Sequence, residues 1–173
     1  YMKDADNLFL ATENCFSKST DAGDSLFSLS NNVVNTPSDF AWGNADTAYY
    51  VNGPSVYYTY DGGNTWDNTF IGQSGLAVDI HAFSGLDFII AATDGGIYRT
   101  TDGGNSYNAI NSGTKLNLNS IHFINVNVGF ICGDDGVLLK TTNGGNNWSK
   151  LNSGTKTLAL KYVWFLDSNV GFV

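Results

Sequence analysis

An eight-residue motif, TYDGGNTW at 59–66, recurs along this chain at a nearly constant spacing. Related copies occupy 100–107 and 141–148, and a more divergent copy occupies 19–26. The central Asp or Asn of the motif falls at positions 21, 61, 102 and 143, which are 40, 41 and 41 residues apart. Self-similarity at such a period indicates a repeat architecture with one supersecondary unit per copy.

Each unit contains short segments rich in β-branched and aromatic residues, separated by Gly, Asn and Asp, and these segments read as strands. In one unit they are 78–83, 88–92, 97–101 and 107–110, and in the next 120–125, 128–132, 137–141 and 148–152. Four strands in about 40 residues is typical of a β-propeller blade. We therefore predict an all-β fold, a β-propeller of four-stranded antiparallel blades.

The period also sets the domain organisation. The approximate repeats are 1–34, 35–75, 76–116 and 117–157, followed by a partial unit at 158–173. We expect residues 1–173 to form a single propeller region with about four blades. Because the outer units are incomplete, we expect the region to be part of a larger propeller, completed by further blades of the same parent chain or by a homo-oligomer.

The repeated motif is predicted to form the hairpin between the third and fourth strands of each blade. Its Asp or Asn can accept hydrogen bonds from backbone N–H groups of its own turn. The Gly two positions later can adopt a positive φ, and the terminal aromatic residue can pack on the blade. The predicted structural residues are Asp21, Gly23, Asp61, Gly63, Trp66, Asp102, Gly104, Tyr107, Asn143, Gly145 and Trp148.

The motif resembles the Asp-box (BNR) repeat, whose pattern is Ser/Thr-x-Asp-x-Gly-x-Thr/Ser-Trp. The longer stretch VGFICGDDGVLLK at 128–140, which leads into the box at Thr141, is similar to the repeats of photosystem II assembly-factor-like propellers, found in many bacterial secreted and surface proteins. The resemblance covers nearly the whole chain and implies a propeller fold. Asp-box propellers include sialidases, xyloglucanases, sorting receptors and non-catalytic binding modules, so this fold does not imply one function.

Charge and composition restrict the partners. The chain has 16 acidic and 8 basic residues, a net charge of -8, which repels nucleic-acid phosphates and anionic membranes. Apolar runs such as 88–92 are far too short for insertion into a membrane. A single Glu, few Lys and many Asn, Thr and Gly indicate a secreted or cell-surface protein.

Two kinds of hydrolase, sialidases and xyloglucanase-like enzymes, need catalytic residues that can be looked for in this sequence. The Asp-box resemblance brings in sialidases, which need three arginines and a Tyr–Glu pair, but this chain has only Arg99 and Glu13. A xyloglucanase-like polysaccharide hydrolase needs two carboxyls roughly 5–10 Å apart, for which Asp94, Asp134 and Asp135 are candidates. Asp-Gly hairpin turns account for the same residues, and we predict that the chain is not an enzyme.

His81 and His122 take the same position in consecutive repeats, where other repeats have Phe40 and Trp164. If the first strands are innermost, the two imidazoles could face each other and hold a metal. The aromatic residues at the equivalent positions favour a packing role instead. The boxes offer too few carboxylates for a calcium site, so no metal and no cofactor are expected.

A tyrosine-rich stretch flanks the turn at 52–55. Alternate residues of a strand face opposite sides, so some of these tyrosines should pack between blades and others could reach a ligand. Exposed tyrosines suit sugars and proteins alike. Together with the loop aspartates, the candidate ligand-binding residues are Tyr49, Tyr50, Tyr57, Tyr58, Tyr60, Asp94, Asp134 and Asp135.

These observations favour a non-catalytic binding or structural module of a secreted or cell-surface protein, which recognises a glycan or a protein through its blade loops. Two alternatives remain open. One is a fragment of a polysaccharide-active hydrolase, which predicts hydrolysis that Asp134→Asn or Asp135→Asn abolishes. The other is a viral or appendage structural and attachment protein, which predicts a stable multimer without added ligand.

Overall fold

The computed structural model describes residues 8–11, 16–29, 37–72 and 74–173, which form five antiparallel sheets in chain order. Blade 1 contains β1 (Leu8–Ala11), β2 (Phe16–Ser19) and β3 (Phe27–Leu29). Blade 2 contains β4 (Asp39–Trp42), β5 (Ala48–Asn52), β6 (Ser55–Thr59) and β7 (Asp67–Phe70). Blade 3 contains β8 (Ala77–Ala82), β9 (Phe88–Ala92), β10 (Ile97–Thr100) and β11 (Asn108–Ile110).

The remaining strands continue the same order. Blade 4 contains β12 (Leu118–Phe123), β13 (Gly129–Gly133), β14 (Leu138–Thr141) and β15 (Ser149–Lys150), and blade 5 contains β16 (Trp164–Phe165) and β17 (Gly171–Phe172). Within every sheet each strand pairs with its neighbour in sequence. The predicted all-β architecture of four-stranded antiparallel blades is therefore confirmed. In the described part of the chain, no helix has the length and apolar character needed to cross a membrane.

The antiparallel order gives each blade two distinct ends. At the box end lie the Asp-box hairpins and the turns between first and second strands, and these are joined by backbone hydrogen bonds such as Gly103 N–H to the Leu86 carbonyl over 3.0 Å. At the loop end lie the loops between second and third strands and the connections from one blade to the next. The Asp-box hairpins and the loops between second and third strands therefore lie at opposite ends of each blade.

The core lies between the blades. Every residue of β9 (FIIAA) and β13 (GFICG) is buried, because neighbouring blades cover both faces of these strands. Phe88 and Ile90 face blade 2, where they meet Tyr49, whereas Ile89 faces blade 4 and meets Ile131. Continuous apolar runs in the second strands therefore reflect burial on both faces.

Blade 5 differs because several of its large apolar side chains are exposed. Leu166 and Val170 lie in or beside its turn, and Phe172 lies in β17 with 71% of its surface exposed. Apolar surface of this kind is typical of a face that binds another structural element.

The sheet register corrects the predicted equivalence of Phe40 with the two histidines. Ala48 pairs with Thr59 in blade 2 as Phe88 pairs with Thr100 in blade 3, and this pairing aligns Ala41, rather than Phe40, with His81. The reason is that the hairpin between second and third strands is one residue shorter in blade 2. Phe40 is instead equivalent to Ile80, and both are buried.

Candidate functional site

The Asp-box residues close their own hairpins. In blade 3, Thr100 Oγ1 donates to Asp102 Oδ1 over 2.6 Å, while the Ser106 hydroxyl and N–H donate to Oδ2 and Oδ1 over 2.6 and 3.0 Å. These bonds, the Ser106 hydroxyl first, lower the pKa of Asp102 to about 2 because they favour the ionised form. The carboxylate is therefore occupied by its own turn.

The other boxes repeat this geometry. Residue 143 is Asn, and its Oδ1 accepts the same two donors, the Thr141 hydroxyl and the Asn147 N–H, each over 3.0 Å. The glycine two positions after the central Asp or Asn of each box has a φ between 85° and 98°, a region that favours glycine. The glycines with this φ are Gly23, Gly63, Gly104 and Gly145.

The aromatic residues of the boxes pack beside their turns. The indole N–H of Trp66 donates to the Gly63 carbonyl over 3.1 Å, and that of Trp148 donates to the Gly145 carbonyl over 3.0 Å. These bonds hold the indoles against the glycine turns, where their apolar edges meet the blade.

Tyr49 and Tyr50 are fully buried, which corrects their assignment as candidate ligand-binding residues. The Tyr49 ring packs against Phe88 at a centroid distance of 4.3 Å, and its hydroxyl donates to the Gly85 carbonyl in blade 3. The Tyr50 ring stacks on Tyr57 at 4.5 Å. Tyr49 thus packs between blades 2 and 3, whereas Tyr50 packs on aromatic residues of its own blade.

Tyr58 lies on the other side of β6 from Tyr57, as alternation predicts, and Tyr60 follows directly after the strand. The rings of Tyr58 and Tyr60 are 5.1 Å apart, and Tyr60 is 49% exposed. With Trp66 they line a cleft of about 540 Å³ that we call the aromatic cleft. Its remaining lining residues are Thr59, Asp61, Thr65 and Asp67.

The three loop aspartates lie at the loop end but differ in role. Asp94 and Asp135 have φ of 66° and 51° and form the turns between second and third strands. Asp134 has both oxygens engaged: Oδ2 accepts the Asn117 amide and Oδ1 the Asn119 amide, each over 3.0 Å. These bonds, the Asn119 bond first, lower the pKa of Asp134 and keep it ionised.

A pocket of about 380 Å³ at the loop end contains two aspartates that the sequence patterns did not single out. We call it the loop-end pocket, and its lining residues are Ser38, Asp39, Val78, Asp79, Asn119, Lys161 and Tyr162. Lys161 Nζ lies 3.4 Å from Asp134 Oδ1, which links this pocket to the Asp134 loop. Asp134 is therefore the one predicted loop aspartate beside the pocket.

Asp39 and Asp79 lie near the starts of the innermost strands and bind the backbone of the next blade. An irregularity in strand pairing near Asp79 accompanies this arrangement. Asp39 Oδ2 and Asp79 Oδ1 both accept the Ile80 N–H, over 3.2 and 2.8 Å, and Asp79 Oδ2 accepts the Ile121 N–H over 2.8 Å. Their spacing of 40 residues at one position of the repeat was the signal that could have revealed them.

The closeness of the Asp39 and Asp79 carboxyls changes the pKa of Asp79. Burial, and then the neighbouring Asp39 carboxyl, raise the pKa of Asp79 well above its usual value of 3.8. Because the fold favours the protonated form of Asp79, this side chain contributes stability that is fully present below the pKa that Asp79 has in the unfolded chain. That contribution is lost as pH rises through the raised pKa of the folded state.

Replacing Asp39 by Asn is expected to lower the pKa of Asp79, because the variant removes the neighbouring negative charge and leaves burial in place. A carboxyl-carbon NMR titration of the folded chain would measure the shift, with Asp67→Asn as a control distant from the pair. An unchanged pKa would contradict the coupling and assign the whole effect to burial.

The two histidines take part in aromatic packing. His81 stacks on Phe123 at a centroid distance of 4.9 Å, and burial, then His122, lowers the pKa of His81 to about 4, so it is neutral at pH 7. His122 Nε2 lies 3.1 Å from the Phe165 carbonyl oxygen. Among the described residues, no group of three or more His, Cys, Asp or Glu is arranged to hold a metal ion.

Solved structures with this architecture are β-propellers. A crystal structure of an ancestral GH74 enzyme matches with a TM-score of 0.68 and 21% identity, over 87% of this chain and 23% of that chain. The GH74 enzyme of Niastella koreensis matches with a TM-score of 0.64 and 22% identity, over 86% and 23%. This chain thus spans about a quarter of the length of these enzymes.

A structure described as YCF48 bound to D1 peptide matches with a TM-score of 0.55 and 13% identity, over 99% of this chain and 87% of that one. Residues 88–159 match the family model for the photosynthesis system II assembly factor YCF48. No curated protein shows significant sequence similarity. The fold and the repeats define a β-propeller of the Asp-box (BNR) type, and the matched segment carries repeats like those of YCF48.

Proposed function

We propose that this propeller is a non-catalytic binding module of a secreted or cell-surface protein, and that it recognises a protein or glycan ligand at the loop-end pocket. The observation that carries the proposal is that the carboxyl groups of Asp79 and Asp134 accept hydrogen bonds from the protein itself. Asp79 accepts two backbone N–H groups and Asp134 accepts two side-chain amides. These carboxyls hold strands and loops in place.

Hydrolysis of a glycoside needs a protonated acid and an ionised carboxylate, both directed at the substrate. The engaged oxygens of Asp79 and Asp134 are directed at the protein instead. Lys161 and Tyr162 remain accessible, and Tyr162 is 82% exposed. An exposed aromatic ring beside a cation and amides suits recognition of a polar ligand.

Comparison supports a protein ligand in particular. The propeller described as YCF48 bound to D1 peptide has nearly the length of this chain, and a peptide is bound to it. The composition, with a single Glu and few Lys, favours the secreted or surface location.

A polysaccharide-active hydrolase is the second candidate, and one observation favours it. The raised pKa of Asp79, beside Asp39 in an open pocket, is the kind of perturbation found in catalytic acids. The GH74 enzymes share the fold, and this chain matches about a quarter of their length.

The two candidates are separated by one set of measurements on the intact chain. Incubation with β-glucans and xyloglucan, followed by a reducing-end assay, is expected to show no hydrolysis, while peptide and glycan arrays are expected to reveal a ligand. Tyr162→Ala is expected to weaken that binding about tenfold, or roughly 1.4 kcal/mol. Hydrolysis that Asp79→Asn abolishes would instead establish the enzyme, and a ligand-free multimer would favour the structural alternative.

A further inference from the structure

In three of the four blades that carry an Asp box, the residue just before the box links its blade to the next one. In blades 1, 3 and 4 this residue is a cation that donates to a carbonyl oxygen of the following blade. The three contacts are Lys18 Nζ to Gly62 over 3.2 Å, Arg99 Nη1 to Gly144, and Lys140 Nζ to Ser168 over 3.1 Å. We call this contact the cation latch.

Blade 2 departs from the repeat at this position, which holds Tyr58. It also departs two residues later, where Tyr60 replaces the Thr of the other boxes, found at 20, 101 and 142. The junction between blades 2 and 3 is held by other contacts, including Thr69 Oγ1 to the Gly104 carbonyl over 2.9 Å. Both departures line the aromatic cleft, so the cleft exists where the repeat is broken.

We propose that the aromatic cleft binds a neutral oligosaccharide. Its lining residues include Tyr58 and Tyr60, whose rings are 5.1 Å apart, together with Trp66 and Asp67, and no Lys or Arg is among them. A pyranose presents an apolar face, which packs on aromatic rings, and hydroxyl groups, which hydrogen-bond to carboxylates and phenols. A cleft of about 540 Å³ whose lining residues are three aromatic residues, two threonines and two aspartates offers both kinds of contact.

The charges of the cleft argue against ionic ligands. Asp61 accepts the hydroxyls of Thr59 and Thr65, over 2.8 and 2.6 Å, and the Thr65 N–H over 2.9 Å, so its charge is already compensated. Asp67 is exposed and screened by water, which leaves little attraction for a cation. An anion would meet two carboxylates. A neutral hydroxylated ligand encounters neither penalty.

The aromatic cleft lies at the box end of blade 2, whereas the loop-end pocket lies at the other end. The inference therefore goes beyond the proposed function. Substitutions at the two sites share no residue, so failure of one proposal is distinguishable from failure of the other.

Two substitutions restore the residues that the other blades use. Tyr60→Thr and Tyr58→Lys reproduce the box of the neighbouring repeats, so both variants are expected to fold. The probes are cellohexaose, laminarihexaose and mannohexaose, titrated into the intact chain by calorimetry. We expect one of them to bind, Tyr60→Thr to weaken that binding at least tenfold, and Phe70→Thr, an exposed aromatic of the same blade outside the cleft, to leave it unchanged.

Thermal unfolding of each variant checks that the fold is retained. If either repeat-restoring variant fails to fold, Tyr58→Phe and Tyr60→Phe replace it, and loss of the hydroxyls is expected to weaken binding several-fold. Absence of binding to all three sugars would overturn the proposal. So would binding that is equally strong in the Tyr60→Thr variant, or binding of a trimethyllysine peptide in place of the sugars.

Discussion

Replacing Gly136 by Ala is expected to lower the free energy of unfolding by about 2–5 kcal/mol. Gly136 ends the loop between the second and third strands of blade 4 with a φ of 70°, where a Cβ atom is disfavoured. A Cβ atom there would also lie less than 3.0 Å from the Thr155 carbonyl oxygen and 2.9 Å from Ser153 Oγ. The connection leaving the blade packs on this loop, so the added methyl group has no free volume.

Gly154→Ala is the matched control. Gly154 has a φ of 80° in the same connection, but no atom lies within 4 Å of its would-be Cβ, so only the backbone cost of about 1–2 kcal/mol is expected. Urea unfolding followed by tryptophan fluorescence would measure both variants. Equal losses would contradict the close packing of the connection on the loop.

Phe130→Ala is expected to destabilise the chain by about 3–5 kcal/mol. The Phe130 ring is fully buried in β13, stacks on Phe165 at a centroid distance of 3.6 Å and lies under Lys140 Nζ at 5.3 Å. Truncation therefore leaves a cavity at the junction between blades 4 and 5. The same urea titration would measure the loss.

The repeat supplies its own control for this substitution. Phe172 follows Gly171 as Phe130 follows Gly129, but it is largely exposed, so Phe172→Ala is expected to change stability by about 0.5 kcal/mol or less. A loss as large as that of Phe130→Ala would contradict an exposed Phe172 and show that another blade or a second copy covers it in solution.

Local sequence patterns were sufficient to predict the strands of a blade and the Asp-box turn. The strands of blade 3 begin and end within two residues of the predicted segments, because their alternation and flanking turn residues lie in the same stretch of chain. The Asp102 turn depends on contacts between residues two to four positions apart. Contacts between residues so close in sequence can be predicted from the local sequence alone.

The candidate sites depended on contacts between blades. Tyr49 and Tyr60 belong to one tyrosine-rich stretch, yet one is buried and the other half exposed, because only the neighbouring blade decides which ring is covered. Asp39 and Asp79 meet at the Ile80 amide although they are 40 residues apart.

The sequence by itself determined the repeat, the four-stranded blade and the Asp-box hairpin, since each rests on short-range periodicity and turn chemistry. The tertiary structure alone decided which tyrosines reach solvent, which aspartates converge and which residue aligns with His81. A hairpin one residue shorter in blade 2 shifts that alignment. Contacts between blades join residues about 40 positions apart, and periodicity reveals the spacing of such residues but not which side chains meet.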